Sequence, residues 1–257
     1  MKIVATYSIK GGVGKTSAAV NLGTLAARDG VRTLIWDLDP QGAASFLLRI
    51  KPKVKGGGRG LIRGKGDPLD VMKGTDVAGL DLLPADFSYR HLDIELDKRK
   101  KPLERLRGVL DQLDGDYDLA ILDCAPSISL VSESVFSAAD LLLVPVIPST
   151  LSVRTLEQLQ AFLAQAENSP PAVLAFLSMV DRRKKLHREL TESLPAALPA
   201  VSATAIPSAS VVELMGVRRA PVVATLPSSP AAKAYVALWE QVRRALDDLP
   251  GTSATRR

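Results

Sequence analysis

The residues with the most chemistry in this chain stand near its start. Gly11, Gly12 and Gly14 flank Val13 and lead into Lys15, Thr16 and Ser17. A glycine turn that runs into a helix leaves backbone N–H groups free to surround phosphate oxygens. In such a loop the lysine, here Lys15, reaches the β- and γ-phosphates of a nucleotide, and the hydroxyl, here Thr16, ligates Mg2+. The general pattern G-x-x-x-x-G-K-[ST] asks for glycine where this chain has Ile9, and Lys10 adds a second cation. Two acidic stretches complete the set. Trp36-Asp37-Leu38-Asp39-Pro40 ends one apolar run, and Leu119-Ala120-Ile121-Leu122 runs into Asp123, the form of a Walker B aspartate that holds a metal shell. Together the loop and the carboxylates point to nucleotide phosphate chemistry.

Such residues meet only if several elements deliver them to one edge. The runs 1–8, 31–40, 79–85, 117–126, 139–147 and 171–180 read as strands. Several are near-continuously apolar, as expected of strands buried on both faces of a parallel sheet. Helical spacing marks 15–30, closed by Gly30, then two helices over 88–115 divided near Pro102, a helix over 148–168 and an amphipathic one over 229–249. This alternation predicts an α/β fold with a doubly wound, mostly parallel sheet flanked by helices, whose ligands lie at the carboxyl ends of the strands. One domain is expected over residues 1–250, with a flexible tail at 251–257.

Composition narrows the class. The chain has 257 residues, 46% hydrophobic and 24% charged, enough apolar material for a proper core. A single cysteine, Cys124, excludes an intramolecular disulfide framework, suits a reducing cytoplasm and is expected to be a small core residue. No signal peptide is expected, and no apolar run is long enough to span a bilayer. Charge is uneven. Residues 49–66 carry seven Lys or Arg and no acid, and they turn an otherwise acidic chain into one of net +5. This glycine-rich segment reads as a mobile surface insertion of the kind that contacts polyanions.

The stretches K-G-G-V-G-K-T-S, D-L-D-P-Q-G and D-C-A-P-S resemble the deviant Walker A P-loop NTPases, and within them the ParA-type partitioning ATPases. The resemblance extends over nearly the whole chain, through "LVPVIPSTLSVRTLEQL" and "MVDRRKKLHREL" to "AIP". It implies ATP and Mg2+ as cofactors and a homodimer when ATP is bound, with Lys10 crossing the interface to the partner's phosphates. It explains why Ile9 is tolerated, since the family pattern asks for no glycine there. It further implies that Asp39 orients the attacking water, that Asp37 and Asp123 lie around the metal and that Pro207 lines the adenine pocket. The family positions a chromosome, plasmid or protein cargo over nonspecific DNA, nucleoid-associated in the cytoplasm, and a ParB-like or cargo adaptor protein stimulates hydrolysis.

One departure bears on DNA. Arginines that the family carries soon after its Ile-Pro pair are absent, with Ser208 and Val211 in that stretch. The candidate DNA contacts are therefore Arg182, Arg183, Lys184, Arg218 and Arg219. The alternative readings are a MinD-like membrane-associated ATPase, for which the stretch 250–257 offers no amphipathic helix, and an ATP-switched interaction scaffold. A nitrogenase-iron-protein-like reductase would need more cysteines than Cys124.

Overall fold

A computed structural model describes residues 1–55, 57–166 and 169–249. The tail expected at 251–257 lies outside the described residues. The strands are Lys2–Thr6 (β1), Thr33–Asp37 (β2), Lys73–Gly74 (β3), Leu80–Leu83 (β4), Leu119–Asp123 (β5), Leu141–Val146 (β6), Ala172–Val180 (β7) and Val201–Pro207 (β8). They form one sheet in the order β3-β4-β2-β5-β1-β6-β7-β8, parallel throughout except for the β3–β4 pair.

Side chains alternate across a strand, and β1 illustrates the consequence. Ile3 and Ala5 join one apolar core with Leu34, Trp36 and Leu122, whereas Val4 joins the other with Ile35, Ile121 and Leu143. Both faces are therefore covered, which is why these strands lack polar alternation. The helices begin with Lys15–Arg28 (α1) and the short Ala43–Leu47 (α2), Arg59–Ile62 (α3) and Pro68–Val71 (α4). Leu92–Asp97 (α5), Arg105–Leu110 (α6), Leu130–Ala138 (α7) and Thr150–Leu163 (α8) follow, then Lys185–Ala197 (α9), Ser210–Arg218 (α10), Val222–Thr225 (α11) and Pro230–Asp247 (α12). No helix among the described residues is long and apolar enough to cross a membrane.

The basic insertion departs from expectation. It is not a solvated loop throughout, because Val54, Leu61 and Ile62 are buried in the core. Gly58 lies so close to Tyr89 that an added Cβ would stand 2.1 Å from the ring. Arg59 and Arg63, on and just after α3, turn inward to Glu95 of α5. A few apolar side chains and one carboxylate thus anchor a segment whose charge pattern alone suggests solvent.

Candidate nucleotide-binding site

The register of the sheet assembles the site. Asp37 pairs with Asp123 at the ends of β2 and β5, and Asp123 pairs with Thr6 at the end of β1. Three strands therefore stop at one level, and the glycine loop leaves β1 directly above them. Gly14 caps α1 with φ +98°, the left-handed region that a β-carbon disfavours. A Cβ at Gly14 would also lie 2.8 Å from Ser178 Oγ, the hydroxyl that donates to the Val13 carbonyl at 2.7 Å. Ser178 of β7 thus buttresses the loop from beneath, a role that the sequence did not reveal. Its neighbour Met179 sits at φ +54°, a strained backbone for a non-glycine residue, and lines the same groove.

Both lysines are held within the chain. The Lys15 ammonium is buried and donates to the Lys10 carbonyl at 3.2 Å. Burial pushes its pKa down, while Asp123, Cys124 and Asp39 act the other way. Lys10 Nζ donates to Ser152 Oγ of α8 at 3.3 Å.

The aspartates have different surroundings. Asp37 is fully buried, and its Oδ2 accepts from the Ser45 N–H at 2.8 Å and the Ser45 hydroxyl at 2.7 Å. Asp123 is also fully buried, and its Oδ1 accepts from Thr6 Oγ1 at 3.3 Å. Asp37 Oδ1 and Asp123 Oδ2 have no hydrogen-bond partner. Burial raises both pKa values, and nearby negative charge adds to it, chiefly Asp37 for Asp123 and Asp39 for Asp37. Asp39 is half-buried, with its Oδ1 accepting from the Gln41 N–H at 2.9 Å. The Cys124 thiol is buried and pushed up by burial, consistent with a core residue and with no nucleophilic role.

The two unpartnered oxygens fit a hydrated divalent cation. Among the described residues no group of three His, Cys, Asp or Glu side chains could hold a metal ion. Mg2+ does not require one, since it keeps several waters and takes its other ligands from phosphate oxygens and one or two protein groups. Thr16, Asp37 and Asp123 suit that arrangement.

Beside the loop runs a groove of about 340 Å³, bounded by Gly11–Ser17 and Asp39 on one side and by Met179, Pro207, Val212 and Tyr235 on the other. Met179, Pro207 and Val212 give it apolar surface against which a planar base can pack. The expected site residues from Gly11 to Ser17, with Asp39 and Pro207, therefore share one cleft. Asp37 and Asp123 are fully buried at the strand ends and do not line it, and Lys10 lines a separate small pocket with Ser152 of α8.

The basic candidates are dispersed. Arg182, Arg183 and Lys184 are exposed in the turn between β7 and α9, and Arg183 is paired with Asp181 at 2.9 Å. Arg218 is exposed at the end of α10. Arg219 instead packs its guanidinium 4.7 Å from the Phe46 ring centre and donates to the Phe46 carbonyl at 3.0 Å. Arg49 donates to the Arg218 and Arg219 carbonyls, which closes the carboxyl end of α10.

Comparison with known proteins agrees with this geometry. Residues 1–174 match the family model described as an AAA domain. The chromosome partitioning protein ParA of Caulobacter vibrioides is 32% identical over 203 residues, 76% of each chain. The sporulation initiation inhibitor protein Soj of Bacillus subtilis is 33% identical over 198 residues, covering 75% of this chain and 78% of that one. Among solved structures, cobyrinic acid a,c-diamide synthase from Mycobacterium smegmatis, with bound ADP and magnesium, superimposes with a TM-score of 0.81 at 26% identity and 96% coverage of both chains. The glycine loop with its second lysine, the carboxylates in register beneath it and the extent of these matches have one explanation: the chain belongs to the ParA family of P-loop ATPases.

Proposed function

We propose that the chain is a slow, Mg2+-dependent ATPase that dimerises with ATP bound, binds DNA without sequence preference and positions a chromosome, plasmid or protein cargo. The observation that carries this reading is the pair of unpartnered carboxylate oxygens in register beneath the glycine loop. Backbone N–H groups of Gly11 to Gly14 and the amino end of α1 hold the phosphates, Lys15 exchanges the Lys10 carbonyl for a phosphate oxygen, and Thr16 faces the metal. Bound Mg2+ would neutralise charge that develops on the transferred phosphoryl group. Asp39, at the mouth of the groove, orients the attacking water, and Pro207 packs against the base. Phosphoryl transfer depends on positioning and charge neutralisation, so this set suffices for slow turnover. Lys10 leaves Ser152 to reach the phosphates of a second subunit, which makes dimerisation depend on ATP. Among the described residues no arginine lines the groove, so a partner protein, ParB-like or a cargo adaptor, raises the rate.

Phosphate release by the purified chain with ATP and Mg2+ tests the enzyme. The expected result is slow turnover that falls to background in Asp39→Ala, whereas fast turnover without partner or DNA refutes the switch. A membrane-associated positioning ATPase is the competing reading. Flotation of the ATP-bound Asp39→Ala protein with anionic liposomes, but not retention on DNA, would favour it.

A further inference from the structure

Two helices beside the nucleotide groove end in the same unusual way. Arg49 follows α2 with φ +62°, and Arg219 follows α10 with φ +49°. A left-handed residue just past a helix end is ordinarily glycine, because a β-carbon is disfavoured there. What the arginines add is an exchange between the two helices. Arg219 Nε donates to the Phe46 carbonyl of α2 at 3.0 Å, with its guanidinium 4.7 Å from the Phe46 ring centre. Arg49 donates in return, from Nε to the Arg219 carbonyl at 3.1 Å and from Nη2 to the Arg218 carbonyl at 3.2 Å. Each side chain thus caps the end of the other's helix. Arg49 also faces Asp76 at 3.4 Å, an exposed pair that contributes little.

Both helices lead to the nucleotide groove. The Gly42 N–H donates to the Asp39 carbonyl and the Phe46 N–H to the Gly42 carbonyl, each at 2.9 Å, so Asp39 and α2 form one hydrogen-bonded body. Ser45 of the same helix holds Asp37. On the other side, Val212 and Glu213 of α10 line the groove beside Pro207, with Asp39 across from them. We infer that Arg49 and Arg219 are positioning residues for hydrolysis: their clasp fixes the α2 segment, and with it Asp39, against the helix on which the base packs. The inference rests on the reading that Asp39 orients the attacking water. Among the described residues neither arginine lines the groove, so both act through the segment that Asp39 leads. In-line attack tolerates little displacement of the water. An aspartate on an unsecured segment loses rate without losing the nucleotide, which the glycine loop holds.

Glycine at either position is the decisive replacement, because it accepts the left-handed backbone and removes the clasp. Arg49→Gly, Arg219→Gly and the double variant are compared with the parent in three measurements. These are single-turnover phosphate release at saturating ATP and Mg2+, affinity for a fluorescent ATP analogue, and the urea midpoint. Turnover is expected to fall about 10- to 100-fold in each single variant. The double variant should fall no further, because the two arginines act as one unit. Nucleotide affinity and the urea midpoint should stay close to those of the parent. Asn, which also tolerates this backbone, replaces glycine in any variant whose midpoint is lowered. In the Asp39→Ala background, sedimentation with ATP and Mg2+ should show the same dimer with and without the clasp. Turnover at or above the parental rate reduces the arginines to helix ends and overturns the inference. So do losses that add in the double variant, an equal loss of nucleotide affinity, or loss of the dimer. No phosphate release by the parent removes the ATPase reading itself, and the inference with it.

Discussion

Asp123→Asn tests the like-charge pair beneath the glycine loop. Asp37 and Asp123 are register partners on adjacent strands, about 4.8 Å apart in the hydrogen-bonding direction. At an effective dielectric constant of about 20, two full charges at that spacing repel by about 3 kcal/mol. That is worth roughly two pKa units, so the nucleotide-free pair holds a proton across much of the neutral range. The sign follows from the raised pKa values of both carboxyls. A raised folded-state pKa gives stability that is fully present below the unfolded value and is lost as pH rises through the folded value. The nucleotide-free protein is therefore expected to melt at lower temperature at pH 8 than at pH 6. Asp123→Asn keeps an oxygen for the 3.3 Å bond from Thr6, gives up the attraction of Lys15 and removes the repulsion with Asp37. It should stabilise the nucleotide-free chain at pH 8 by about 1–2 kcal/mol, or about 2–8 °C in Tm, and flatten the pH dependence. The same change should weaken binding of ATP with Mg2+, because a charged metal contact is lost. Calorimetry across pH and titration of a fluorescent ATP analogue measure the two effects. An Asn variant less stable than its parent at pH 8, with nucleotide affinity intact, would refute the reasoning.

Three further outcomes are expected. In the Asp39→Ala background with ATP and Mg2+, sedimentation should show a dimer, and adding Lys10→Ala should return it to monomer; equal dimerisation of the two disproves the trans role. Gly14→Ala combines φ +98° with a 2.8 Å approach to Ser178 Oγ, and should cost about 1–3 kcal/mol in urea unfolding along with most of the nucleotide affinity. Ser178→Ala in addition should recover part of the stability. Glu95, held from 4.5 down to about 2 chiefly by its hydrogen bond with Arg63, contributes stability present above pH 4.5 and lost as pH falls towards 2. Glu95→Gln should lower the urea midpoint at pH 7 and make the loss between pH 5 and 3 shallower; parallel acid profiles would dismiss the cluster as a stabilising joint.

Much of the sheet was legible because β2, β5, β6 and most of β7 are apolar on both faces, and that pattern cannot be mistaken for a surface strand. Register was not written anywhere, yet it followed from the endings. Asp37 and Asp123 each close a five-residue strand, and parallel pairing of strands of equal length brings the carboxylates level. The strand β8 was harder. Val201-Ser-Ala-Thr-Ala-Ile-Pro207 is small and partly polar because it is an edge strand, paired on one side only and with irregular register. The helix α7 hides in a serine-rich stretch, where the Ser132 hydroxyl accepts from the Ser129 N–H at 2.8 Å and donates to the Ser129 carbonyl at 2.7 Å.

The insertion shows where one-dimensional reading fails for a physical reason. Its cations are counted as solvated because no acid lies within the segment, but Arg63 finds its acid 32 residues later. Glu95 in turn looks like one more surface charge in Asp93-Ile94-Glu95-Leu96-Asp97, and only folding reveals that Glu95 is buried while Ile94 is 53% exposed. A carboxylate is tolerated there because three guanidinium groups compensate the charge that burial would otherwise penalise. Reciprocally, those guanidinium groups are gathered at one place only because a carboxylate sits beneath them. Neither partner's position is intelligible alone, so the charge pattern of each segment misleads until their contact is known.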